Sequence, residues 1–234
     1  MRPSRRDAGS GALSDEGRRA LDNMWALQMK TGPQTGAWTW LQFHNEPWEG
    51  DSSAFHGATL AALAIHSAPG SYDATPEIQD RVKALHDYLR TANEQQPLLS
   101  RAMLLWASAT APALLSRDQQ MALASALVAA QQDDGGWSTA SLGSWKRADG
   151  TPLDTRSDGY ATGLVTFALE SVADARTQPQ VKRGLAWLVA HQDPATGTWF
   201  AASLNKQRDP ASDAGKFMSD AATAYAVLAL TKAP

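Results

Sequence analysis

Two aspartates, Asp154 and Asp158, stand four positions apart in "LDTRSDGYATG", directly ahead of a nearly continuous apolar run. Carboxylates so placed serve one of two ends. The structural one is a helix N-cap, in which the side chain accepts hydrogen bonds from the free amides of the first turn, worth about 1 kcal/mol. The chemical one is a general acid: burial in an apolar cavity raises a carboxyl pKa, and a second carboxylate raises it further. The dipole at a helix N-terminus pulls the other way. Asp154 therefore makes Asp158 the stronger acid candidate, because it opposes that dipole. Asp220, in "MSDAATA", stands similarly before the last apolar run and is the third candidate.

Rings accumulate in the same regions: Trp40, Phe43, Trp48, Phe55, Trp145, Tyr160, Phe200 and Phe217. Such rings suit a carbohydrate platform, a groove for an apolar ligand, or packing within loops. His56 follows the first of these loops, as a proton shuttle or as a hydrogen-bonded histidine at a helix start. His44, Glu46, Glu49 and Asp51 offer oxygen and nitrogen donors without a recognised metal-ligand spacing, so solvated loop charges are expected and no metal. Lys206, Arg208 and Lys216 are candidates for an anionic head group, against a default of exposed loop charges. The chain has no Gly-rich phosphate loop and no Ser–His–Asp signature.

Composition removes further chemistries. With no cysteine in 234 residues, thiolate zinc sites, thiol nucleophiles and disulfides are excluded. A net charge of −3 with interspersed signs gives no basis for nucleic-acid binding. No apolar run reaches the length of a membrane span. The basic start "MRPSRRDAGSG" lacks the apolar core of a signal peptide and reads as a disordered arm over residues 1–13, ahead of a single domain over 14–234. The compartment is not set by these features.

The elements that must position these residues repeat. Arg183-Gly184, Trp187-Leu188, Gln192, Gly197 and Trp199 form one full copy, and Gln131, Gly135 and Trp137 reproduce its end. Gln28, Gly36 and Trp38 form another, while Lys83-Ala84, Tyr88-Leu89 and Asn93 keep only the front half. Each copy is followed by an apolar segment rich in small residues: "AFHGATLAALAI", "LLSRAMLLWASAT", "GYATGLVTFALE" and "SDAATAYAVLAL". Charged, amphipathic first segments suit outer helices, and apolar second segments suit inner ones. The expectation is an all-α chain of about four outer–inner pairs and no strand, with helices starting near Ser14, Pro76, Ser116 and Pro179. The connections 39–53, 138–157 and 200–219 are long, which in a compact domain marks functional loops.

The pattern Arg183-Gly184, Trp187-Leu188, Gln192, Gly197-x-Trp199 resembles the QW motif of squalene–hopene and oxidosqualene cyclases, and related repeats occur in protein prenyltransferase β-subunits. The resemblance implies a terpenoid-cyclase-like α/α toroid whose cavity opens at the inner-helix N-termini. Four pairs make a small or incomplete ring, with room for a second copy or a partner chain to complete it. It further implies a class II terpene cyclase that takes an isoprenoid-like substrate, protonates it from Asp158 assisted by Asp154, with Asp220 as the other candidate acid, and needs no cofactor. Trp40, Phe43, Trp48, Phe55, His56, Trp145, Tyr160 and Phe217 would line the cavity, the rings steadying cations. The Asp-x-Asp-Asp-Thr-Ala motif itself is not preserved, and the lack of cysteine rules out a prenyltransferase zinc site. Two alternatives stand beside it: a non-catalytic module for a hydrophobic ligand or protein, and a carbohydrate-active enzyme on an α/α toroid.

Overall fold

The computed structural model describes residues 11–172 and 178–232, so residues 1–10 of the expected arm lie outside the described residues. Among the described residues the chain is all-helical, with no strand. Eight α-helices alternate as expected: α1 Asp15–Ala26, α2 Ser53–His66, α3 Gln79–Ala92, α4 Leu98–Thr110, α5 Arg117–Ala129, α6 Gly159–Ser171, α7 Pro179–Ala190 and α8 Asp213–Lys232. No helix is long and apolar enough to cross a membrane.

Local chemistry sets several of the boundaries. Ser14 caps α1 by accepting from the Gly17 amide at 3.1 Å, and Asp15 and Glu16 in the first turn suit its dipole. Pro179 opens α7, where its missing N–H costs nothing. The outer helix α3 buries Val82, Leu85, His86 and Leu89, a single face at three- and four-residue spacing. The inner helix α6 is buried at every position from Gly159 to Glu170, which explains its lack of amphipathic alternation.

The last connection departs from expectation. It ends at Ser212, because α8 begins at Asp213 and takes in the stretch assigned to a loop through residue 219. Lys216, Phe217 and Asp220 are therefore helical. Small and flexible residues in "DAGKFMSDAATA" do not stop a helix when Met218, Ala222 and Ala226 share a face that packs inward.

The chain divides into two compact units. The first comprises residues up to 43, 48–96 and 107–116, with α1, α2 and α3. Its core joins Trp25 to Trp38, ring centroids 5.8 Å apart, and the Trp25 indole donates to the Tyr72 hydroxyl at 2.9 Å. The second comprises 44–47, 97–106 and 117–234, with most of α4 and all of α5 to α8. Inner helices α6 and α8 pack closely at Gly163, where a side chain would come within 2.6 Å of the Ala226 backbone nitrogen.

The repeat is a brace. Gln28 donates to Gly36 O at 2.9 Å and to Arg81 O at 3.0 Å in the first turn of the next outer helix. Gln131 does the same to Gly135 O and Gln180 O, both at 2.8 Å. Each repeat Trp donates its indole N–H back to its own outer helix: Trp38 to Met24 O, Trp137 to Leu127 O and Trp199 to Leu188 O. The glycine at 184 belongs to this joint, since a Cβ there would lie 2.8 Å from the Trp137 ring and 2.5 Å from the Thr166 hydroxyl.

Candidate functional site

The candidate site lies in the second unit, at the N-terminus of α6, where a cleft of about 370 Å³ opens. Asp158 caps α6 at its base. One carboxylate oxygen accepts from the amides of Tyr160 and Ala161, both at 3.0 Å, and from the Thr139 hydroxyl at 2.7 Å. The other accepts from the Thr139 amide at 2.6 Å. Asp158 is 6% exposed, and burial pushes its carboxyl up to about 6 against those four donated bonds. This cap joins α6 to the 3₁₀ turn Thr139–Leu142.

Asp154 also lines the cleft, but its partner is Arg156. The guanidinium meets it through two bonds of 3.0 and 2.7 Å, and this pairing holds the Asp154 carboxyl below the ordinary range. A carboxylate so neutralised does not raise the pKa of a neighbour, so the expected assistance to Asp158 is corrected. Asp220 lies exposed within α8 and does not cap it.

The upper wall comes from residues that the sequence reading did not single out as a group. On the last turn of α7 the Trp187 and His191 rings stack, centroids 4.0 Å apart and 8° from parallel. Positions i and i+4 share a helix face, which is the signal that was available. Trp187 is only 6% exposed, so the accessible ring is that of His191, backed by the indole. His191 Nδ1 lies 2.8 Å from Trp187 O. A carbonyl only accepts, so Nδ1 carries the hydrogen of that bond. Phe200, 47% exposed, adds a second ring face.

Asp134 ties wall to floor. It accepts from the Trp187 indole at 3.0 Å, the Ser157 hydroxyl at 2.7 Å and the Gly136 amide at 3.0 Å. Partial burial pulls its carboxyl upward, but those three donors and the nearby His191 hold it below the ordinary range. Gln132 Oε1 shares that Ser157 hydrogen with Asp134, 3.0 Å from the hydroxyl oxygen, and the Gln132 amide donates to Thr155 O at 2.8 Å. The cleft therefore offers exposed ring faces beside fixed acceptors, donors and one imidazole.

The other expected residues are not gathered here. Trp40, Phe43, Trp48, Phe55 and His56 belong to the first unit. Phe55 is buried against Tyr88, ring centroids 6.4 Å apart, and so is core packing. His56 is buried, and desolvation lowers its pKa to about 4, leaving a neutral ring edge-on to Trp40. In the second unit Tyr160 is buried edge-on to Tyr225, and Trp145 is half-buried with its indole donating to Thr139 O at 3.1 Å. Phe217 is 64% exposed on α8. Lys206, Arg208 and Lys216 are exposed. Among the described residues no group of three or more His, Cys, Asp or Glu side chains is arranged to hold a metal ion.

No family model and no curated protein matches this chain. A solved structure described as a polysaccharide lyase is similar in fold, with a TM-score of 0.57 and 15% sequence identity over 92% of this chain. The chain spans 65% of the length of that structure. This finding corrects the expectation of a terpene cyclase, because the solved structure that shares the fold is described as a polysaccharide lyase. The likeness is one of all-helical fold: this chain folds like a polysaccharide lyase.

Proposed function

We propose that the chain is a carbohydrate-active protein that holds a segment of polysaccharide in the cleft at the N-terminus of α6. The observation that carries this reading is the cleft itself. The stacked Trp187–His191 pair and Phe200 present ring faces to the apolar side of a sugar, while Asp134, Gln132 and Arg156 supply hydrogen-bonding groups at its rim. Sugars are recognised by that combination, since each ring has an apolar face and a girdle of hydroxyls. The fold shared with a polysaccharide lyase supports the same class of ligand. The resemblance to the QW repeat is then one of scaffold, in which outer and inner helices are braced as in an α/α toroid.

A second reading, bond cleavage, is favoured by His191. Its Nδ1 is engaged by Trp187 O, and the ring lies near the ionised Asp134. This imidazole is the group of the cleft suited to accept a proton.

The test is direct. The full chain is titrated with polysaccharides by affinity electrophoresis and calorimetry, and the same mixtures are assayed for new reducing ends and for unsaturated products absorbing in the ultraviolet. Saturable binding that His191→Ala or Phe200→Ala weakens, with unchanged circular dichroism, supports the reading. Absence of binding to every polysaccharide rejects it. New chain ends that vanish in His191→Ala establish cleavage.

A further inference from the structure

The charge of the cleft bears on which polysaccharide enters it, an inference that rests on the reading above. Asp134, Asp154 and Asp158 line the cleft, and Arg156 is the cation among its lining residues. That guanidinium is already engaged in two bonds to Asp154. Arg183, nearby on α7, donates to the carbonyls of Gln132 and Asp133 and does not line the cleft. Recognition of a sugar carboxylate calls for a cation free to form the paired bonds of a guanidinium with a carboxylate. Here the internal carboxylate of Asp154 holds that place.

Asp134 adds to the asymmetry. Its three donors leave it a carboxylate at the rim, and a carboxylate only accepts. Sugar hydroxyls bring donors to it, whereas a uronate or sulfate group brings a second negative charge.

We propose that the cleft selects polysaccharides bearing neither carboxylate nor sulfate groups, with Asp134 repelling polyuronates and Asp154 occupying the guanidinium that would otherwise bind them. Hydroxyls of an uncharged sugar donate to the Asp134 oxygens, and the sugar ring lies over His191 and Phe200. Nothing in that arrangement depends on a free cation.

The experiment compares neutral oligosaccharides (cello-, xylo- and manno-series) with oligogalacturonate and oligomannuronate, titrated into the full chain by calorimetry. Each is measured at about 0.01 M and about 1 M salt, where the screening length falls from about 30 to about 3 Å. Neutral binding is expected to hold constant across salt. Uronate binding is expected to be at least about tenfold weaker at low salt and to strengthen as repulsion is screened. Asp154→Asn, which frees Arg156 at a partly exposed position, is expected to raise uronate affinity about tenfold and to narrow the preference for the neutral series. Uronate binding tighter than neutral at low salt, and weakening with salt, overturns the charge selection and leaves carbohydrate binding intact. If no carbohydrate binds, the underlying reading fails and the selection with it.

Discussion

The side-chain amide of Gln131 donates at 2.8 Å to the backbone carbonyl of Gln180, a residue 49 positions later in the first turn of the next outer helix. Gln28 makes the corresponding bond to Arg81 O at 3.0 Å. Gln192, in the last copy, bonds only its own turn, at Gly197 O. The repeat thus joins α1 to α3 and α5 to α7.

Replacing Gln131 by Ala removes both of its donated bonds and leaves two carbonyls without them. A loss of about 1–3 kcal/mol is expected, read as a lower denaturant midpoint with an unchanged slope. Gln192→Ala is expected to cost less than half as much, because it makes one such bond at an exposed position. Equal losses would contradict the inter-helix role.

Gly184→Ala tests the close approach of α7 to the repeat Trp. A Cβ would press the Trp137 ring, which is fully buried, so overpacking of about 1–3 kcal/mol is expected despite the better helix propensity of Ala. Stabilisation on thermal unfolding would show that the joint has slack.

Asp158 is the subject of a titration. With burial ahead of the four donated bonds, carbon NMR should place its midpoint at about 6. The folded pKa is then above the unfolded value, so its contribution is full at low pH and is lost as pH rises through 6. Asp158→Asn should abolish that dependence and also cost stability, since an amide nitrogen cannot accept from the Thr139 amide. A midpoint in the ordinary carboxylate range would show that the cap outweighs burial.

His56 acts with the opposite sign. Burial lowers its pKa from 6.5 to about 4, so the unfolded chain binds the proton first. Stability is complete above 6.5 and falls by about 3 kcal/mol as the pH drops to about 4. His86 is lowered to about 4 as well, by burial and then by His66, whose Nε2 is 2.9 Å from its own. Urea midpoints measured from pH 7 to 4 should show this decline, and His56→Phe should flatten part of it. An unchanged profile in that variant would rule out His56 as a source.

The helix pairing was legible in the sequence because it depends on local period and composition. The Gln28, Gln131 and Gln192 spacings to their Gly and Trp partners repeat, and runs such as "GYATGLVTFALE" are too apolar for an outer position. Capping by Ser14, Pro179 and Asp158 is likewise local, since each side chain or ring acts within its own first turn. Tertiary structure decided what the aspartates and rings do. Asp154 is four residues from Asp158 in the chain, yet its charge goes to Arg156, because a guanidinium attracts the carboxylate that a second carboxylate repels. Asp134 and Trp187 lie 53 positions apart and meet at 3.0 Å only because the Gln131 brace docks α7 beside the "QQDDGGW" turn. The cleft is the product of that docking: Trp187 stands in the repeat and Phe200 among the rings of the last connection, but folding is what sets Phe200 and Asp134 beside the Trp187–His191 stack.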